Sequence, residues 1–348
     1  MKALFGSFSA ITALGGGVET QVRSLANSLN KMGIEIELFD TWKRYNLLKE
    51  FAFFHLFGAN VGTYHLGRSI KNLGMKLIVS PIFYSRSGAK LLRMKTKFSN
   101  LLHKSGGFWS EDLFCKELCR MADLVVVNTN AESNLIAQGL GIQPGKIYLV
   151  PNGVDKKFAD ASPELFIKTY GLQNFVLYVG HIGWRRKNLL PLLRVLRKTR
   201  ISAVLIGPIL DNQYGRECQK IISETDSIKL IPGLPSDSLM LKSAYAACDT
   251  LVLPSLYETP GLAALEAGLA GAKICITKYG GTTEYFGEHA TYLNPISEKS
   301  IEKAIQTALN KEKTDALKKY LKENYLWENC AAQLLAVYNT ILRRGGAP

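Results

Sequence analysis

The sequence predicts an α/β protein built from two Rossmann-like parallel-sheet domains. Three observations lead there. The chain has 348 residues, more than a single hydrophobic core usually serves. Apolar runs of strand length alternate with amphipathic segments of helix length. The alternation pauses at Pro151-Asn152-Gly153-Val154-Asp155, a turn of the kind that ends a domain, and then restarts. The division is expected to give domains over 1–155 and 156–327, with a long amphipathic helix from Trp327 closing the chain.

In the first half, Lys2–Phe8 reads as a strand, followed by a loop ending in Gly15-Gly16-Gly17. Val18, Val22, Leu25, Ala26 and Leu29 make Val18–Lys31 a helix with one buried face, closed by Gly33. Ile34–Phe39 alternates as a second strand. This is a βαβ unit with glycines at its first turn, where backbone has to approach a phosphate or sugar closely. The glycines lack the Gly-x-Gly-x-x-Gly spacing and Asp40 is the nearest acid, so a nicotinamide-binding Rossmann enzyme is poorly supported. Phe51–Phe57 and Lys76–Pro81 are strand-like around a helix near Tyr64–Asn72. Ala122–Asn128, a helix over Ala131–Gln138 and a strand at Lys146–Val150 complete the domain.

In the second half, strands are expected at Asn174–Gly180, Ala203–Gly207, Ile228–Ile231, Thr250–Leu253 and Lys273–Thr277. Helices fall between them at Asn188–Thr199, Gln213–Glu224, Ser238–Ala247 and Ala263–Ala270. The informative passage is Pro254–Glu266, between a buried strand and a helix. Thr259 suits the N-cap, Pro260 the first helical position, and Gly271 the terminator. Such a passage aims the N–H groups of Gly261 and Leu262 at an anion outside the strand's carboxyl end. Glu258 and Glu266 flank that point, and carboxylates there suit sugar hydroxyls better than phosphate.

Composition narrows the function classes. Apolar residues are 47% of the chain, without the 18 or so unbroken apolar residues of a membrane span. The N-terminal apolar run is broken by Gly6, Ser7 and Ser9, against a secretory signal, and six scattered cysteines suit a reduced, cytoplasmic setting. The net charge is +14, and no acidic residue lies between Glu50 and Glu111. Within that stretch, Ala89–Lys104 places Leu91, Leu92, Met94, Phe98, Leu101 and Leu102 at helical spacing among lysines. Two readings stand: a helix for an anionic membrane surface over residues 86–104, or a surface helix with its apolar side on the core. No recognition motif for nucleic acid accompanies it.

Glu258, seven residues, then Glu266, with Gly261-Leu262 inside, resembles the signature of the retaining GT-B glycosyltransferases of glycosyltransferase family 4. Pro151-Asn152-Gly153-Val154-Asp155 resembles the same family's hinge sequence, and Gly280-Gly281-Thr282-Thr283-Glu284 its following turn. After the first strand of the second half, the family places an Arg and, six residues on, a Lys. Here these positions hold His181, a departure, and Lys187, with Arg185 and Arg186 available to supply the missing cation. The His that the family often carries near the strand ending at Ser80 is also missing.

The resemblance implies two domains facing each other across a cleft, with the last helix, about 328–348, rejoining the first domain. It implies a sugar moved from a nucleotide-diphosphate donor to a hydroxyl of a glycan or lipid-linked glycan. Lys187, Arg186 and the N–H groups of Gly261 and Leu262 would hold the diphosphate. Glu258 would hold the sugar, Glu266 the ribose, and Leu234 would sit beside the base. Gly16 and Gly17 would approach the donor from the first domain, and Tyr84 and Arg86 are candidates for acceptor contacts. Glu258 and Lys187 are the catalytic candidates. No Asp-x-Asp occurs, so neither a metal nor a cofactor is expected beyond the nucleotide-sugar co-substrate. The departures at His181 and Ser80 leave a second reading, a catalytically silent sugar-nucleotide-binding scaffold of the same fold.

Overall fold

The structure is a computed structural model that describes residues 1–343, and it divides into two compact units. The first is Met1–Gly153 together with the segment from Trp327, and the second is Val154–Leu326. The first carries β1 (Lys2–Gly6), β2 (Glu35–Leu38), β3 (Phe54–Phe57), β4 (Leu77–Ser80), β5 (Leu124–Val127) and β6 (Ile147–Leu149). All pair in parallel, in the order β2-β1-β3-β4-β5-β6. β3, β4 and β5 are buried along their whole length, as parallel strands covered on both faces must be. The order reverses between β1 and β3. Gly15 and Gly16, with φ of 64° and 103°, follow β1, and Gly16 caps the helix Gly17–Lys31.

The second unit repeats the plan with β7 (Val176–Val179), β8 (Ala203–Ile206), β9 (Ile228–Ile231), β10 (Thr250–Leu253), β11 (Lys273–Thr277) and β12 (Ala290–Leu293). Its order is β12-β11-β10-β7-β8-β9, again all parallel. The reversal falls between β7 and β10, and outside their carboxyl ends lies the crevice where open α/β sheets bind ligands.

Several sequence expectations are corrected. β1 stops at Gly6, and β3 begins at Phe54 because Phe51 and Phe53 are buried lead-in residues, apolar without being strand. The helix expected over Ala131–Gln138 is α-helical only over Asn130–Asn134, then widens to a π-turn over Leu135–Gly139. β12 was not expected at all: it is a short edge strand, Ala-Thr-Tyr-Leu, too brief to show a period. The closing helix runs Trp327–Arg343, and the predicted residues beyond it lie outside the described ones.

That closing helix packs on Gly17–Lys31 in the first unit. It also completes a buried polar chain. Tyr338 Oη lies 2.6 Å from His55 Nδ1, and His55 Nε2 lies 2.9 Å from Ser80 Oγ. His55 is thus a structural residue that fixes the helix to β3 and β4. Gly153 is explained by the same helix, because a Cβ there would lie 2.8 Å from Trp327.

Burial drops the His55 pKa from 6.5 to about 3, so the ring is neutral in the folded chain. An unfolded chain takes up a proton below 6.5 that the folded chain refuses. Stability should therefore fall as pH drops from 6.5 towards 3, by about 1.4 kcal/mol per unit for this group. Urea unfolding of wild type and His55→Gln across that window isolates the slope as their difference. Tyr338→Phe, which leaves His55 Nδ1 buried and unpaired, should cost about 1–3 kcal/mol in the same assay.

Candidate functional site

The loops after β7 and β10 meet at the second unit's reversal point. Leaving β7, the chain passes Gly180 and His181, makes a single 3-10 turn at Arg185–Lys187, and enters the helix Leu189–Thr199 through Asn188. Asn188 adopts φ 52°, and its side-chain amide donates to the carbonyls of Pro254 at 3.0 Å and Pro295 at 2.7 Å. The carbonyl of Arg186 accepts from the Leu256 N–H at 2.8 Å. The basic turn is thereby bonded to the loop after β10 through backbone as well as side chains.

Glu258 is the centre of this junction. Its Oε1 accepts from Lys187 Nζ at 2.7 Å and from Ser255 Oγ at 2.6 Å, while Arg186 Nη1 lies 3.6 Å from Oε2. Only 6% of the residue is exposed. Burial by itself pushes the carboxyl up, but Lys187, Arg186 and the two hydrogen bonds outweigh it, and its pKa falls below the usual carboxylate range. Glu258 is therefore ionised at neutral pH. Arg186 is held further by its bond to the Tyr257 carbonyl at 3.2 Å and by its guanidinium over the Tyr257 ring.

The backbone of Glu258 is gripped from the other side. Its N–H donates to Tyr279, and its carbonyl accepts from Gly281 at 2.9 Å. A Cβ on Gly280, at φ 99°, would lie 2.0 Å from that carbonyl oxygen. The glycine pair is there to let the Glu258 peptide lie against the turn.

This pairing also explains a correction. The helix begins at Leu262, with Gly261 at φ 85° as its N-cap, so Thr259 is not the cap and Pro260 is not helical. The chain stays extended through Glu258 because its peptide bonds the 279–281 turn, and only glycine can then make the bend. Glu266 is accordingly the fifth helical residue, just past one turn in. The N–H groups of Gly261, Leu262 and Ala263 head an eight-residue helix at the carboxyl end of β10, where such groups lack helical acceptors.

Glu266 differs from Glu258 in company. It accepts from Tyr245 Oη at 2.7 Å, and desolvation raises its carboxyl to about 7 despite that bond. His181 is half-buried and stacks on Trp184, with centroids 4.6 Å apart and planes 11° from parallel. Desolvation first, then the Lys187 charge, hold its pKa below the ordinary value, so the ring is neutral. It does not supply the positive charge of the family's Arg. Leu234 follows β9 two strands along and is half-buried against the second unit's core. Gly16 and Gly17 belong to the first unit, after β1. Beside the basic turn, a cavity of about 560 Å³ is lined by Trp184, Arg185 and Arg186, and by Asn212, Gln213 and Tyr214.

The sequence matches the family of glycosyl transferases group 1 over residues 166–325, and Glycosyltransferase Family 4 over residues 15–158. The chain belongs to the family 4 glycosyltransferases of GT-B fold. It is 25% identical over 247 residues to the MMP alpha-(1->4)-mannosyltransferase of Mycolicibacterium hassiacum, covering 67% of this chain and 57% of that protein. Against the D-inositol 3-phosphate glycosyltransferase of Corynebacterium urealyticum, identity is 26% over 246 residues, covering 63% and 57%. The match spans little more than half the length of these curated relatives. Among solved structures, sucrose-phosphate synthase from Thermosynechococcus elongatus superimposes with a TM-score of 0.76 at 18% identity, covering 99% of this chain and 100% of that one. Anabaena HepE, solved with UDP and glucose, does so at 0.71 and 18%, covering 98% and 100%.

In this member of the family the structure brings Lys187, Arg186 and Glu258 together, with the Gly261–Leu262 helix start on the same loop as Glu258. Three supporting residues escaped the sequence reading. Ser255 stands three residues before Glu258 and could have been suspected as a hydroxyl in a buried loop. Asn188 and Tyr245 act across long separations that a single sequence does not reveal. The Gly280 packing yields a test. Gly280→Ala should lower stability by about 2–3 kcal/mol in denaturant unfolding, since the Cβ meets backbone at a left-handed position.

Proposed function

We propose that this protein is a retaining, metal-independent hexosyltransferase that moves a sugar from a nucleotide-diphosphate donor to a hydroxyl of a glycan or lipid-linked glycan. The observation that carries the reading is the buried carboxylate Glu258 held between Lys187 and Arg186 at the carboxyl ends of β7 and β10. As the bond from the anomeric carbon to the diphosphate oxygen breaks, negative charge collects on the leaving group. Lys187, Arg186 and the N–H groups of Gly261 and Leu262 are fixed in advance to receive it. Glu258, ionised, accepts a hydrogen bond from the donor sugar and faces the positive charge growing at the reacting carbon. The acceptor oxygen bonds to that carbon from the side the diphosphate leaves, and the acceptor's proton passes to the departing diphosphate. Configuration is thereby retained.

Side-chain cations do the work that a metal ion would otherwise do on the diphosphate, which is the ground for metal independence. Turnover should persist in EDTA, and its abolition would count against this part of the reading. HepE, a structural neighbour, was solved with UDP and glucose, which accords with a nucleotide-sugar donor.

Thermal-shift measurements with UDP, GDP, ADP, CMP and NADH test the donor class. One nucleoside diphosphate at about a hundred times its dissociation constant should stabilise wild type by roughly 2.7 kcal/mol. Lys187→Ala should lose that effect. Stabilisation by NADH alone, or by none of the five, would overturn the reading, and donor binding without transfer would leave a silent scaffold.

Glu266 adds a pH signature. Ribose hydroxyls donate to its ionised form, so binding favours loss of a proton that sits at about 7 in the free protein. Diphosphate affinity should therefore weaken as pH falls through 7, by about tenfold for each unit below it. Glu266→Gln should flatten the profile. A profile unchanged by that substitution would remove Glu266 from the ribose site.

A further inference from the structure

The basic helix of the first unit, Ala89–Gly106, turns its apolar stripe away from the core. Of its side chains only Leu92 and Thr96 are buried. They seat the helix against the π-turn Leu135–Gly139, where a Cβ on Gly139 would lie 2.5 Å from Leu92 Cδ2 and Thr96 Oγ1 lies 3.4 Å from the Gly139 carbonyl. Two turns beyond Thr96 on the same face, His103 packs on Trp109, with centroids 4.2 Å apart. The inner face is thus short, specific and fully used.

The outer face is apolar. Leu91, Met94, Phe98, Leu101 and Leu102 fall on one stripe at helical spacing, and Met94, Phe98 and Leu101 are 68%, 62% and 63% exposed. Phe108, just beyond the Gly107 turn, continues it at 51%. Scattered surface leucines need no explanation, but a contiguous stripe with an aromatic at its centre does. Lys90, Arg93, Lys97 and Lys104 line one margin of the stripe and Lys95 the other. Among the described residues, Lys90, Lys97 and Lys104 meet no carboxylate, and the chain from 51 to 110 carries none. Apolar centre and cationic margins match the two layers of a bilayer interface, acyl chains below and anionic headgroups above.

We propose that Ala89–Gly106 is an in-plane anchor that docks the first unit on an anionic lipid surface. Phe98, Leu101, Met94 and Leu91 enter the acyl region, and Lys90, Lys97 and Lys104 lie among the headgroups. The reading that the apolar side packs on the core is corrected by the burial pattern. The proposal stands whether or not the transferase reading holds, because its readout is binding to lipid.

The test is co-sedimentation of the full chain with vesicles of phosphatidylcholine alone or with phosphatidylglycerol added. Wild type should bind the anionic vesicles, with affinity falling as salt is raised. Phe98→Ser/Leu101→Ser should weaken binding by at least tenfold, and Lys90→Gln/Lys97→Gln/Lys104→Gln by about fivefold for each cation removed. All these side chains point outward, so circular dichroism and melting should match wild type. As a readout free of any folding defect, Phe98→Cys carrying a polarity-sensitive dye should shift to the blue on anionic vesicles; the six native cysteines are buried and stay unlabelled. Equal binding to neutral vesicles, or none to either, would overturn the proposal. So would a dimer, seen by light scattering, that Phe98→Ser/Leu101→Ser splits in a protein indifferent to lipid.

Discussion

The geometry of the second unit's site depends on keeping one buried carboxylate charged. An ionised group removed from water costs several kcal/mol unless its neighbours replace the lost hydration. Glu258 obtains that replacement from Lys187, Ser255 and Arg186, drawn from two loops that are 71 residues apart in sequence. Each neighbour then requires support of its own. Asn188 ties the basic turn to Pro254, and Gly280 gives the Glu258 peptide room to bond the next turn. Losing Lys187, Ser255 or Arg186 would leave the Glu258 carboxylate buried and under-compensated, and the Asn188 and Gly280 contacts hold the two loops that carry them in register.

The same network sets the state in which a diphosphate would find the cations. Lys187, a flexible chain when free, is already ordered against Glu258, with only 15% of its side chain exposed. Much of the entropy of fixing it has therefore been lost on folding instead of on binding. A diphosphate bound as proposed would share the two cations with Glu258, whose single negative charge leaves the trio net positive.

Much of this was legible in the sequence, and the limits are physical. Glu258, Gly261 and Leu262 could be read because they follow a strand end, which period and turn chemistry locate well. Lys187 and Arg186 could be read through the resemblance to the family's motif after the first strand of the second half. The helix start itself was misplaced because Thr259-Pro260 carries strong local N-terminal signals. The long-range bond between the Glu258 peptide and Gly281 overrode them. Tyr245, the partner of Glu266, lies on a separate helix with nothing local to mark it. The exposed stripe at 89–106 posed the opposite difficulty, since amphipathic spacing says that a face is apolar and not what covers it. Only the observed seating of Leu92 and Thr96 on the Gly139 turn decides which side looks inward.

Glu258 and Glu266 show how one loop–helix passage gives two carboxylates opposite characters. They stand eight positions apart, and desolvation is the largest influence on both. At Glu258 two cations and two hydrogen bonds reverse it, and the group stays charged through the physiological range. At Glu266 the principal partner is the neutral Tyr245 hydroxyl, which offsets desolvation only in part, and the carboxyl is left near 7. In the proposed reaction, a charge held at all times suits the place where positive charge would grow during bond breaking. A carboxyl poised to lose its proton suits a contact made only when ligand hydroxyls arrive to stabilise the ionised form. The difference lies in the partners that the fold supplies: the basic turn after β7 reaches Glu258, and the helix carrying Tyr245 reaches Glu266.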